Sequence, residues 1–131
     1  VEAVQEQTGH PVRSAWRTPG EVRPLPPADA IAVAPASFNT INKWAAGISD
    51  TLAPGILCEV YGLGVPMAVL PCLNAAQAAH PAYARSLDRL REMNVMIGSY
   101  EPHRPKAGGG AERFRWEEAL DLLEPRLGRR P

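Results

Sequence analysis

The chain has 131 residues, with 14 Lys or Arg balanced by 14 Asp or Glu. That length fits a single domain, and the absence of a net field sets aside nucleic acid and membrane surfaces as expected partners. No apolar run reaches the roughly 18 residues of a membrane span, and the N-terminal VEAVQEQTGHP lacks the basic and apolar regions of a signal peptide, so a soluble, cytoplasmic protein is expected.

In chain order, Val1 to Thr8 reads as the tail of a helix, Val12 to Trp16 as a weak strand, and Arg17 to Pro27 as a loop punctuated by Pro and Gly. The run AIAVA at Ala30 to Ala34 is continuous rather than alternating, as expected of a parallel strand covered on both faces. A helix then begins at Asn39 or Thr40. Asp50 is expected to cap the next one, on which Leu52, Ile56, Leu57, Val60 and Leu63 share a face, with Pro54 tolerated in the first turn and Gly62 or Gly64 ending it. MAVL at Met67 to Leu70 is a second buried strand. From Pro81 to Met93 the residues Tyr83, Leu87, Leu90 and Met93 form an inward stripe, with Arg85, Asp88, Arg89, Arg91 and Glu92 outward. VMI at Val95 to Ile97 is a third strand. The last helix carries Trp116, Ala119, Leu120, Leu123 and Leu127 on one stripe, and Trp44 and Trp116 are expected in the core.

Strands alternating with helices imply βαβ crossovers, hence a three-layer α/β fold: a Rossmann-like (flavodoxin-like) parallel sheet with helices on both faces. Residues 1–29 contain no opening strand followed by a glycine- or serine-containing turn and a helix. The expectation is therefore one domain over 1–131 that lacks its first strand and phosphate-binding turn, completed by a longer chain or another segment. Cys58 and Cys72 sit in apolar contexts without CxxC spacing and read as buried free thiols. His10, His80 and His103 are far apart in sequence, so no metal site is expected.

Two segments have the character of ligand loops. In open α/β sheets ligands bind beyond the carboxyl ends of strands, and APASFNT at Ala34 to Thr40 runs from a strand into a helix N-terminus where backbone N–H groups are free. By residue type alone Asn39 reads equally as a helix cap. The second segment, LPCLN at Leu70 to Asn74, follows the next strand, and Asn74 also reads as a cap. Ser99 to Trp116 carries Gly108, Gly109 and Gly110 between His103, Arg104, Lys106 and Arg113, which suits either a lid over an anionic ligand or a solvated linker.

The run Pro35, Ala36, Ser37, Asn39, Thr40 resembles the PASANT motif of the FMN-binding flavoproteins of the cysteine-decarboxylase type, with Phe38 in place of the second alanine. The likeness continues through Asn42, Lys43, Ala45, Gly47, Ile48, Asp50 and Leu52. Pro71 and Asn74 are similar to the PxMNxxMW segment of the same family, with Leu73 replacing methionine and Gln77 and Ala78 replacing Met-Trp. The resemblance implies FMN held by Pro35, Ala36, Ser37, Asn39, Thr40, Lys43 and Asp50, a small-molecule or peptide substrate held by Pro71, Leu73 and Asn74, and a catalytic Asn39. It also implies a homo-oligomer, a trimer or a multiple of trimers, with FMN at the subunit interface. The catalytic histidine of the family falls at Glu21 in this sequence. Glu21 is thus the second catalytic candidate, although residue type alone favours a surface glutamate in a proline-rich loop. The implied activity is FMN-dependent decarboxylation of a cysteine-containing peptide or cysteine derivative. The alternatives are a flavin-binding pseudoenzyme or assembly subunit, and a flavin enzyme acting on another small substrate, such as a prenyl-transfer relative.

Overall fold

The computed structural model describes residues 2–13, 27–104 and 114–127. Its elements are α1 (Glu2–Thr8), β1 (Ile31–Ala36), α2 (Phe38–Ala46), α3 (Leu52–Gly62), β2 (Met67–Pro71), α4 (Ala75–Ala78), α5 (Pro81–Glu92), β3 (Met96–Ile97) and α6 (Glu118–Leu123), the last running into a 3-10 turn at Glu124–Arg126. The three continuous apolar runs all become strands of one parallel sheet in the order β1-β2-β3. Ile31 pairs with Met67 and Val33 with Val69; the register then shifts so that Ala36 meets Pro71, and Ala68 pairs with Met96. Every residue of the central strand β2 is buried, which is why that run shows no polar alternation.

The side-chain period of two divides β2 between two cores. Met67 and Val69 point into the larger one, with Ile41 and Trp44 of α2, Leu57 of α3 and Tyr83 and Leu90 of α5. Leu70 points the other way, against Phe114 and Ala119, with Ala34 and Cys72 partly buried beside it. Helices therefore cover both faces, as the expected three layers require.

The helix ends explain how so many glycines and prolines are accommodated. Ser37 caps α2 by accepting the Thr40 N–H at 3.2 Å, Asn74 caps α4 by accepting that of Gln77 at 2.9 Å, and His80 caps α5 through Nδ1, which accepts from Ala82 at 3.0 Å. At the other ends Gly47, Gly64 and Asn94 adopt left-handed φ of 75°, 74° and 64°. Each turn is closed by a hydrogen bond from the following N–H to a carbonyl five residues back: Ile48 to Lys43 at 2.9 Å, Val65 to Val60 at 3.4 Å and Val95 to Leu90 at 3.0 Å. In two cases this turn feeds the chain directly toward the next strand. Buried Ser86 donates its hydroxyl to Asn42 Oδ1 at 2.7 Å and fastens α5 to α2.

Several expectations are corrected. The cap of α2 is Ser37 rather than Asn39 or Thr40, because β1 continues through Ala36 and leaves Ser37 as the extended residue before the helix. Thr51, not Asp50, is the N-cap residue of α3, and Asp50 pairs with Lys43 instead. Leu63 lies beyond the last turn of α3 and is exposed, as are Trp116, Leu120 and Leu127. The terminal helix is only six residues long and buries Ala119 and Leu123 alone, so Trp116 is not a core residue, whereas Trp44 is. Cys58 and Cys72 are free thiols but half-buried. Val12 and Arg13 are not in a strand; the rest of that run, Glu21 and the glycines at 108–110 lie outside the described residues. No described helix is long and apolar enough to cross a membrane, and no described group of side chains could hold a metal ion.

Candidate functional site

Because the strands are parallel, their carboxyl ends open on one side of the sheet, and the three loops leaving them meet there. The β1–α2 loop is tied to the β2–α4 loop by the Cys72 N–H donating to the Ala36 carbonyl at 3.0 Å. Beyond β3 the chain returns to the β2–α4 loop. The His103 N–H donates to the Leu73 carbonyl at 3.3 Å, and the Ala75 N–H donates to the His103 carbonyl at 2.6 Å, forming a parallel bridge between Asn74 and His103.

Within the first loop, Pro35 follows a cis peptide bond and is exposed, Ala36 is fully buried, and Ser37 is the cap. Asn39 stands exposed in the first turn of α2, and its side chain makes no hydrogen bond among the described residues. The Thr40 hydroxyl accepts from Ser37 Oγ at 3.1 Å. The N–H groups of Phe38 and Asn39 lie in the first helical turn, where an intrahelical acceptor is lacking by geometry. Phe38, the departure from the PASANT pattern, packs its ring edge-on to His80 at 5.7 Å and tilted against Tyr83 at 6.4 Å, joining the starts of α2 and α5. Burial raises the Tyr83 phenol above its ordinary value, the Arg91 charge opposing it.

Not every candidate reaches this surface. Lys43 and Asp50 bind one another at 2.7 Å across the α2–α3 turn, and the Lys43 hydrogen bond holds the Asp50 carboxyl below its usual range. Leu73 is 3% exposed and belongs to the main core, and Pro71 is buried, so these two shape the loop from beneath. Asn74 uses Oδ1 as a cap, which leaves its Nδ2 hydrogens to donate. The pairing of His103 with Asn74 is absent from any local sequence pattern, since 29 positions separate them.

A parallel sheet covered on both faces, with the loops leaving its strands gathered at the carboxyl edge, defines a flavodoxin-like α/β protein, and that edge is its candidate ligand site. The Flavoprotein family profile matches residues 9–123, and the chain belongs to that family. It is 36% identical over 64 residues to a cysteine/cysteine sulfinic acid decarboxylase from an unknown prokaryotic organism, a stretch covering 49% of this chain and 17% of that protein. It is 34% identical over 64 residues to the phosphopantothenoylcysteine decarboxylase of Mus musculus, covering 49% of this chain and 31% of the mouse protein. These matches thus span less than a third of the length of either relative. Among solved structures, the FMN-dependent cysteine decarboxylase SpaF superposes with a TM-score of 0.64 at 25% identity, over 95% of this chain and 71% of SpaF.

Proposed function

We propose that the chain binds FMN through the Pro35–Thr40 segment and acts as an oxidative decarboxylase of a cysteine-containing peptide or cysteine derivative. The observation that carries this reading is exposed Asn39 in the first turn of α2, on a loop hydrogen-bonded to the one that bears Asn74. The donor set there, two first-turn amides, a carboxamide and a hydroxyl, fits the polar edge of a flavin ring, and buried Ala36 adds no side-chain bulk beneath it. FMN bound there would supply a hydride acceptor for the substrate's cysteine, the oxidation to a thioaldehyde that would ease loss of carbon dioxide by letting the carbanion delocalise onto sulfur. In this reading Asn39 orients the cysteine, Asn74 Nδ2 donates to the carboxylate, and Glu21 takes the thiol proton. Lys43 and Asp50 fix the far end of α2.

A second reading, a flavin-binding subunit without decarboxylase activity, draws support from Gln77 and Ala78, which replace the Met-Trp of the family pattern. One set of measurements separates the two. The purified full-length protein is expected to show flavin absorbance and to release FMN rather than FAD; a colourless protein that takes up no FMN at micromolar concentration rejects both. Asn39→Ala is expected to lower turnover roughly ten- to a hundredfold, the loss of about 1–3 kcal/mol of hydrogen bonding in a dry site. Flavin binding without turnover of any cysteine derivative selects the second reading.

The site is further proposed to lie at the interface of a trimer or a multiple of trimers. The family resemblance supports this placement; exposed Ile48, Tyr61 and Leu63, toward the end of α2 far from the site, offer apolar surface for self-association alone. Sedimentation equilibrium is expected to give a multiple of three; a monomer throughout the concentration range refutes it.

A further inference from the structure

A cleft of about 320 Å³ lies beside the β2–α4 loop, walled by Leu70, Tyr100, Pro102 and Phe114 and edged by His103 and Arg115. Its volume is at the lower end of small-molecule sites. The His103 backbone is fixed on both sides by the hydrogen bonds to Leu73 and Ala75, so its position does not depend on its side chain. Its ring is also held: Nδ1 is 3.2 Å from the Tyr100 hydroxyl, the two rings meet edge-on at 6.2 Å, and Tyr100 leans on Phe114 at 5.8 Å. With Nδ1 engaged, Nε2 is the nitrogen left for a ligand.

One of the two carboxylates lining the cleft is engaged within the fold. Both oxygens of Glu118 accept from Ser99, Oε1 from its N–H and Oε2 from its hydroxyl, each at 2.7 Å. Arg115 is engaged with Glu117 through Nε at 3.2 Å and lies 3.9 Å from Asp121 Oδ2 through one terminal nitrogen, which leaves the hydrogens of its other terminal nitrogen to face an anion. Glu101 is the remaining acidic residue of the lining. An apolar wall with an imidazole and a guanidinium at its rim suits a compact acid, and the bridge to His103 puts this rim beside Asn74.

We propose that His103 is a substrate-contacting residue that, with Asn74, holds the carboxylate of the cysteine-derived substrate, Tyr100 acting as its positioning residue. This rests on the decarboxylase reading for the identity of the substrate, though not on the presence of flavin. The test uses N-acetylcysteine and N-acetylcysteamine, which share a thiol and an amide and differ by the carboxylate. Binding is followed through the His103 imidazole resonances and by calorimetry, on protein whose flavin absorbance is recorded in parallel. Wild type is expected to prefer N-acetylcysteine at least about tenfold, the worth of a hydrogen bond to a charged group, and His103→Ala to lose most of that preference, keeping only the part that Asn74 supplies. Tyr100→Phe, which keeps the ring packing, is expected to lose part of the preference. A wild type that fails to discriminate, or a His103→Ala protein that discriminates as well as wild type, overturns the proposal. Discrimination by a protein that takes up no FMN upholds it while removing the cofactor reading.

Discussion

Leu90→Ala is expected to cost roughly 2–5 kcal/mol of folding free energy, the range for a large aliphatic side chain deleted from a packed core. Leu90 is 0% exposed and lies on α5 among the side chains that join this helix to the sheet and to α2. Its loss removes the transfer free energy of the buried methyls and leaves a cavity that neighbouring strands are too rigid to close. Its carbonyl also receives the Val95 N–H in the turn that leads into β3, so loosening this point weakens a helix end as well as a core. Total stabilities of single domains are about 5–15 kcal/mol, so a loss at the upper end would leave much of the protein unfolded at 37 °C. Urea titration is the measurement, with Leu87→Ala as a control on the same helix. Leu87 is only half-buried and should cost less. Equal midpoints for the two variants would contradict the assignment of Leu90 to the centre of the core.

Gly98→Ala is expected to destabilise the β3–α6 side of the sheet by roughly 1–3 kcal/mol through overpacking, and by more where hydrogen bonds are lost with it. A Cβ built at Gly98 collides with Glu118 Oε1 and comes within 2.6 Å of Leu70 Cδ2. Neither neighbour moves freely. Leu70 is 2% exposed and anchors the second core, and the Glu118 carboxylate is held by the two hydrogen bonds from Ser99. Relief therefore requires either a strained leucine or release of the carboxylate that fastens α6 to the strand end. A double-mutant cycle with Glu118→Ala checks the account: if the collision acts through Glu118, the two costs must fall short of additive. Full additivity would place the cost on Leu70 and not on the carboxylate.

How far the sequence could lead depended on whether the relevant contact was local. Strands at Ile31–Ala36, Met67–Pro71 and Met96–Ile97 were legible because burial on both faces demands a continuous apolar run bounded by turn residues. α5 was legible because a half-exposed helix must display a 3.6-residue stripe, and Tyr83 and Leu90 are indeed buried. The cap of α2 was not. Ser37, Asn39 and Thr40 have similar capping chemistry, and the choice depended on where the ladder between β1 and β2 ends, which is a property of the pair. The apolar stripe from Trp116 to Leu127 failed for a related reason: a stripe records what could be buried, but only Ala119 and Leu123 have packed side chains over them.

The same division runs through the candidate site. The sequence by itself determined the α/β class, the strand-to-helix loop at Pro35–Thr40 and the cap at Asn74, because each is encoded in residues within a few positions of one another. The tertiary structure alone decided that Leu73 faces the core, that Lys43 and Asp50 neutralise each other, and that His103 lies against Asn74 with Tyr100 on its ring. A local pattern reports hydrogen bonds closed within a turn or a strand. Contacts between loops at the carboxyl edge exist only after the strands align and bring distant segments together, so no spacing in the sequence announces them.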